Sequence, residues 1–258
     1  NNNGISHPCN SANETSTVNK ANPTIATSAT ASAPVGGNIA DTATVSGGTN
    51  PTGTVTFNLY GPNDATCSGA SVFTATVALS GGSANSGNYT PTAPGTYRWT
   101  ASYSGDANNN GISHPCNSAN ETSTVGKASP AIVTSATAGP VNLGASISDQ
   151  ATLSGGVSPT GTITFTAYGP NDATCSTAVF TSAPVAVNGN GAYNSGAFTP
   201  AAVGTYRWIA SYTGDANNNA VSGACNDPGE SSVVAKATPA IVTQASAAIP
   251  GVSLYISL

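Results

Sequence analysis

An internal repeat with a period of about 108 residues is the feature that most constrains the fold of this 258-residue chain. The stretch "NNNGISHPCNSANETSTV" occupies residues 1–18 and returns unchanged at residues 108–125. In the same way, "YGPNDATCS" occurs at 60–68 and 168–176, and "GTYRW" occurs at 95–99 and 204–208. Such a period is too long for one turn of a solenoid and matches the size of a single β-sandwich domain.

Lysines mark the boundaries of the repeat. Lys20, Lys127 and Lys236 are each followed by Ala and, two residues later, by Pro. These K-A-x-P joints predict two complete domains, at 20–126 and 127–235, flanked by the C-terminal strand region of a preceding domain at 1–19 and the N-terminal strand region of a following domain at 236–258. We expect the chain to be a segment of a longer array, and we expect neighbouring copies to pack against its two partial domains, as in a filament.

Composition indicates an all-β protein. Five basic and ten acidic side chains give a net charge of −5, which argues against nucleic acid or an anionic membrane as a partner. Hydrophobic residues make up 38%, so the chain does not have the composition of a disordered protein. The 29 glycines and 17 prolines suit many turns, and no stretch of eighteen apolar residues is present to span a membrane.

Alternation with a period of two predicts half-buried strands in both domains. Roughly seven short strands per repeat, separated by turn signals, predict tandem immunoglobulin-like β-sandwich domains. The residues expected to face the core are Ile39, Ala43, Val45, Val55, Phe57, Leu59, Phe73, Ala75, Val77, Leu79, Tyr97, Trp99, Ala101 and Tyr103 in the first repeat, and Ile147, Leu153, Ile163, Phe165, Phe180, Tyr206, Trp208 and Tyr212 in the second.

A family resemblance is carried by three motifs in succession. "NPTGTVTF", "GTYRWTASYSGDANNN" and the K-A-x-P joint resemble the bacterial Ig-like repeats of large extracellular surface proteins. The resemblance covers both complete domains, and it implies a tandemly repeated extracellular module used as a stalk, spacer or adhesin. It carries no catalytic residues over to this chain, and the paired cysteines indicate a subgroup.

The five cysteines follow the repeat. Cys67 and Cys116 are 49 residues apart, and Cys175 and Cys225 lie 50 residues apart at the equivalent positions. This spacing predicts one disulfide bond within each domain and an oxidising compartment, and it leaves Cys9 without a partner in the chain. The alternatives are free buried thiols or, less well supported, a metal site, for which two sulfurs per domain without nearby histidines are a poor set.

Two motifs invite a functional interpretation. "DANNNG" at 106–111 matches the first half of a calcium loop, but Asn117 stands where a bidentate Glu is needed, so an Asn-rich hairpin turn is favoured. His7 and His114 occupy one repeat position seen twice, and we expect both to be solvent-facing loop residues. No metal, cofactor or catalytic site is predicted, because the second domain has no histidine to complete a nucleophile–base pair.

Charged residues leave further alternatives. The three joint lysines could form isopeptide bonds to Asn with Asp41 or Asp149 assisting, although a joint is a poor place for an apolar enclosure. Arg98 and Arg207 should point away from the core, and a surface ion pair with an acid such as Asp106 or Glu121 is favoured over cation–π stacking or a carbohydrate contact.

Two more kinds of site follow from local patterns. Asn13, Asn88 and Asn120 lie in N-x-[ST] sequons and are candidate glycosylation acceptors in a host with the machinery. Val252, Leu254, Ile256 and Leu258 alternate with polar residues, so this segment is either an inter-subunit strand that adds to a neighbour's sheet or the second strand of a partial domain.

The sequence therefore predicts a non-enzymatic structural repeat segment of an extracellular or cell-surface protein. Its expected partners are copies of itself in a filament or tandem array. The alternative is an adhesin module that recognises glycans or a host surface.

Overall fold

The structure, a computed structural model, describes residues 1–244, and every regular element in that range is a β-strand. The strands are, in chain order, β1 (Thr24–Ala29), β2 (Ser32–Pro34), β3 (Asp41–Ser46), β4 (Thr54–Tyr60), β5 (Phe73–Ala78), β6 (Ser83–Asn85), β7 (Gly95–Tyr103), β8 (Ile112–His114), β9 (Thr122–Gly126), β10 (Ala131–Ala136), β11 (Pro140–Asn142), β12 (Asp149–Ser154), β13 (Thr162–Tyr168), β14 (Ala178–Thr181), β15 (Val185–Ala186), β16 (Gly191–Asn194), β17 (Gly204–Tyr212), β18 (Val221–Ser222) and β19 (Ser231–Ala235).

Each repeat forms its own pair of sheets. In the first unit (residues 20–126), one sheet has the order β1-β3-β6 and the other has the order β2-β9-β7-β4-β5, with β8 beside β7. In the second unit (residues 127–235), the corresponding sheets are β10-β12-β16 and β11-β19-β17-β13-β14, with β15 beside β13 and β18 beside β17. Neighbouring strands are antiparallel except β2 with β9 and β11 with β19. The chain is therefore all-β, with two sandwich-like units.

Both sheets of a unit contribute to one core. On β4, Val55, Phe57 and Leu59 are buried while the residues between them are partly exposed, as the alternation predicted. Ala43 and Val45 of β3 face them from the other sheet within the same cluster. Each large apolar side chain buried in this way contributes roughly 1.5–3 kcal/mol to stability, so the paired faces hold the unit together.

Trp99 and Trp208 occupy equivalent core positions. Each is fully buried on the longest strand of its unit. The ring of Trp99 meets Phe73 edge to face at 6.0 Å, and that of Trp208 meets Phe180 edge to face at 5.7 Å. The repeat seen in the sequence is thus also a repeat of the core.

Two expectations about strands differ from the structure. Ile39 is buried but precedes β3, and it pairs with Tyr89 only through an isolated bridge. Residues 1–20 contain no strand, although part of this segment was expected to be a strand region.

Candidate functional site: the joint between the units

The K-A-x-P motif is fastened to the D-A-N-N-N loop of its own unit. In the first unit, the Lys20 ammonium donates to the Asp106 carbonyl at 2.6 Å. The Ala21 N–H donates to the Asn108 carbonyl at 2.8 Å, and Ala21 lies beside Asn109 in an isolated parallel bridge. The two motifs therefore form one end of the unit, which we call its near pole.

The second unit begins in the same way without any spacer. Lys127 directly follows Gly126, the last residue of β9. Its ammonium donates to the Asp215 carbonyl, and the Ala128 N–H donates to the Asn217 carbonyl at 2.8 Å. The near pole of the second unit therefore starts one peptide bond beyond the opposite end, or far pole, of the first.

Hydrogen-bond donors surround the Asp106 carboxylate. The Thr52 N–H donates to it at 2.7 Å, the Asn108 N–H at 2.8 Å, the Asn109 side-chain amide at 2.9 Å and the Tyr103 hydroxyl at 3.0 Å. The Thr52 N–H is the largest influence on the pKa of Asp106, and the donors together hold that pKa well below its usual range. These donors stabilise the negative charge of the carboxylate. The loop is therefore a turn organised by Asp106, its first residue, and not a cation-binding loop.

The buried Asn of the loop holds a second loop in place. Asn109 is fully buried, and its side chain accepts from the Thr49 N–H at 2.8 Å and donates to the Thr49 carbonyl at 3.0 Å. Asn218 makes the same pair of bonds with Val157, at 2.8 and 3.1 Å. Thr49 and Val157, which we call the tip residues, are thus fixed at the near poles.

The Val157 tip contacts the far pole of the first unit. Val157 packs against the first unit's core cluster, which contains Val35. Val35 is only 2% exposed although it lies in a surface connection after β2. Gly36 has φ +80°, and a Cβ placed there would lie 3.0 Å from the Val157 methyl group. We call Val35 with Gly36 the socket; a glycine there permits both the left-handed backbone and the approach of the tip.

Both predicted disulfide bonds are present. Cys67 is joined to Cys116 with a Cα–Cα distance of 6.1 Å, and Cys175 is joined to Cys225 with a distance of 5.9 Å. Cys9 is free and exposed. Each bond joins the loop after the third long strand of its unit to the loop before the last strand.

Arg98 joins the same two loops from the outer face of β7. Its Nε donates to the Asn117 side chain at 2.7 Å, and its Nη1 donates to the Asp64 carbonyl at 3.3 Å. The Asn117 amide in turn donates to the Ala65 carbonyl at 2.9 Å. Arg98 is therefore part of a clasp that reinforces the disulfide bond.

The favoured interpretation of Arg98 was wrong. Its partners are an amide and a carbonyl, and the basic side chain beside Glu121 is the imidazole of His114. Asp106 is occupied by the turn described above, so neither acid is a partner of Arg98. Arg207 repeats the clasp with Asn226.

Four acids are buried between the sheets, two in each unit. The residues Asp41, Glu121, Asp149 and Glu230 are each at most 1% exposed, so their carboxyl groups are shielded from water. Burial raises the pKa of Asp41 and of Asp149 to about 6, and burial with the charge of Asp41 raises the pKa of Glu121 to about 8. Burial likewise raises the pKa of Glu230 to about 7.

His114 is not the solvent-facing loop residue that was expected. It ends β8, where its Nδ1 lies 3.0 Å from the Thr27 hydroxyl and 2.9 Å from Oε1 of Glu121. The second unit has Gly223 at this position, so the histidine is an addition to a buried acid that both units share. His7, by contrast, is exposed.

The remaining predicted sites are exposed or undescribed. Asn13, Asn88 and Asn120 are all exposed. Lys20 and Lys127 contact main-chain carbonyls rather than Asn side chains, which gives no support to isopeptide bonds. The predicted inter-subunit strand of Val252, Leu254, Ile256 and Leu258 lies outside the described residues.

Two features of the site were missed from the sequence, although each left a signal there. Glu121 and Glu230 stand at one repeat position, and alternation puts them in step with the apolar residues Val125 and Val234 of the strands that follow, which marks a buried acid. Val157 replaces Thr49 in otherwise similar loops, and that change of polarity marks a contact made by only one of the two near poles.

Comparison with known proteins identifies no family. No family model matches the chain, and no curated protein matches it. Among solved structures, it is similar to an Escherichia coli alpha-2-macroglobulin activated by porcine elastase, with 12% identity and a TM-score of 0.28 over 79% of this chain and 22% of that one. A structural similarity at this TM-score does not support any inference about function. Residues 1–244 include no helix of the length and apolarity needed to cross a membrane.

Proposed function

We propose that this chain is a structural segment of an extracellular surface or filament-forming protein, in which Ig-like units stack end to end as a stalk, spacer or fibre. The observation that carries the proposal is the joint. Gly126 and Lys127 connect the units without a spacer, and the Val157 tip packs on the socket of the unit before it. A joint of this kind limits bending, which is what a spacer needs.

Three further observations support the Ig-like and extracellular parts of the proposal. The sheet β2-β9-β7-β4-β5 places the last strand beside the longest one, as in Ig-type sandwiches. The Tyr97 and Tyr206 hydroxyls each donate to the carbonyl four residues upstream, at 3.0 and 2.9 Å, as in a tyrosine corner. One disulfide bond per unit favours an oxidising compartment.

The adhesin alternative has less support. A carbohydrate contact was one alternative for Arg98, and the clasp engages that guanidinium at two of its nitrogens.

The proposal is tested by loosening the joint. Inserting about eight Gly and Ser residues between Gly126 and Lys127 gives a flexible chain between the units. Small-angle scattering should show a narrow distribution of intramolecular distances for the original chain and a broad one for this variant.

The control places the same insertion between Gly81 and Gly82, in an exposed turn away from the socket. This control should scatter as the original chain does. An original chain with a distribution as broad as that of the joint variant would contradict the spacer function.

A further inference from the structure

The far pole of the second unit repeats the socket, and no residue of the described range 1–244 fills it. The Leu143 N–H donates to the Ala235 carbonyl at 2.8 Å, as the Val35 N–H does to Gly126 at 2.8 Å, so the two residues are equivalent. Leu143 is 41% exposed, whereas Val35 is 2% exposed. Val35 is thus buried at the pole that a following unit contacts, and its counterpart Leu143 is exposed.

Gly144 shows the same difference at the backbone. It has φ +98°, in the same left-handed region as Gly36, and a Cβ placed on it would meet no atom of the described residues within 4 Å. The place that the Val157 methyl group takes beside Gly36 is therefore open space beside Gly144.

We propose that this second socket, formed by Leu143 and Gly144, is a docking site for the near pole of a further unit of the same repeat. The inference rests on the proposed function, and it specifies how successive units recognise each other: an apolar tip residue enters a socket of one apolar residue and one glycine.

The course of the chain identifies the occupant. Lys236 follows Ala235 directly and reopens the K-A-x-P motif, as Lys127 does after Gly126. Ile241, the counterpart of Ile132 on β10 and of buried Ile25 on β1, is 88% exposed. A unit that begins at Lys236 would be tethered at the socket without a spacer, which gives a high effective concentration.

A second copy of this chain is a poorer occupant. Its free near pole carries Thr49, so a hydroxyl would enter the apolar socket and lose its contact with water. It would also have to pay the translational and rotational entropy of association, which a tethered unit avoids.

The test adds a unit to the full chain. A second copy of residues 127–235 is placed between Ala235 and Lys236, and Cys9→Ser removes the free thiol. Leu143→Cys, made in the original second unit only, serves as the reporter. Under non-reducing conditions, maleimide labelling of residue 143 should be at least about tenfold slower in the extended chain, because a labelling reagent reaches a covered site only when it opens.

Two controls make the result specific. Val179→Cys, on the same unit and equally 41% exposed, should label at one rate in both chains. Changing the added unit's copy of Val157 to Asp should restore fast labelling at residue 143, because a carboxylate does not enter an apolar socket.

Equal labelling of residue 143 in both chains, with the added unit folded by circular dichroism, would overturn the docking site. A concentration-dependent dimer of the original chain that Leu143→Asp abolishes would overturn the choice of occupant. Scattering from the extended chain separates the two proposals: a stiff three-unit rod with residue 143 still reactive would leave the spacer function standing without this socket.

Discussion

At the scale of single residues, Asp41 and Glu121 oppose each other across the sandwich of the first unit. Asp41 belongs to β3 in one sheet, and Glu121 immediately precedes β9 in the other. Two charged carboxylates in an apolar interior repel each other and lack water, so the pair retains protons at a pH where exposed acids have lost them. Asp149 and Glu230 repeat the arrangement in the second unit.

We expect both units to become less stable as the pH rises from about 4 to about 8. The pKa values of these acids are raised in the folded state, to about 6 for Asp41 and Asp149, about 7 for Glu230 and about 8 for Glu121. The folded chain therefore binds more protons than the unfolded chain in this range, and the stability that these four acids contribute is greatest below their unfolded pKa values. Thermal melting should show a Tm lower by more than about 5 °C at pH 9 than at pH 5.

Asp41→Asn should remove part of this dependence from the first unit alone. The variant keeps the shape of the side chain without its charge, so it should raise the Tm of the first unit at pH 9. Asp149→Asn is the matched change in the second unit, and comparison of the two variants assigns each step of the fluorescence melting curve to a unit. A Tm that rises with pH in the original chain would contradict the buried-acid interpretation.

At the scale of secondary-structure elements, the segment that occurs twice separates local from non-local folding. In both copies, the Ser side chain donates to the Pro carbonyl three residues earlier, at 2.7 Å for Ser11 and for Ser118. The turn thus forms from its own sequence. The flanking residues are strands β8 and β9 in the second copy only, because a strand needs neighbours to take its backbone hydrogen bonds.

This contrast explains what the sequence could predict. Alternation located the core faces of β4 and β7, since it depends only on neighbouring residues, and equal cysteine spacing in two repeats located the disulfide bonds. The contacts of Arg98, His114 and Asp106 could not be predicted, because each depends on which loops the topology brings together. The socket is still harder to predict from sequence, since it depends on the relative position of two units.

We expect loss of the second disulfide bond to destabilise the second unit strongly. Changing Cys175 and Cys225 to Ser opens a loop with a sequence separation of 50. In the loop-entropy model, this costs about 4 kcal/mol in the free energy of unfolding. Denaturant titration followed by fluorescence should show one of the two unfolding transitions moved to lower denaturant and the other unchanged.

The clasp of Arg207 and Asn226 remains in that variant and should keep the two loops together in the folded state. Cys9→Ser is the control and should change neither transition. A cost below about 1 kcal/mol would indicate that the clasp, rather than the bond, restrains these loops.

At the scale of the whole molecule, Asn109 and Asn218 offer a comparison between a free pole and a joined one. Each side chain is fully buried and holds its tip residue by two hydrogen bonds. Asn109→Ala should lower the stability of the first unit by about 1–3 kcal/mol, because it leaves buried polar groups unpaired. Asn218→Ala should do the same to the second unit and also release the Val157 tip.

Only the Asn218 variant should therefore broaden the distance distribution measured by small-angle scattering. Equal scattering from both variants, with the units folded, would show that the loop clamp does not position the tip.

The parallel pairing of β2 with β9 determines how a unit responds to tension along the array. The chain enters at the near pole and reaches β2 by way of β1, and it leaves from β9 at the far pole. Because β2 and β9 are parallel, a pull on the two ends loads the hydrogen bonds between these strands in shear rather than peeling them open one by one. Its three residue pairs then have to rupture together. After rupture, the bond between Cys67 and Cys116, with its sequence separation of 49, keeps the enclosed residues from extending. An overstretched unit would lengthen by only about half of its contour and would remain linked to its neighbours.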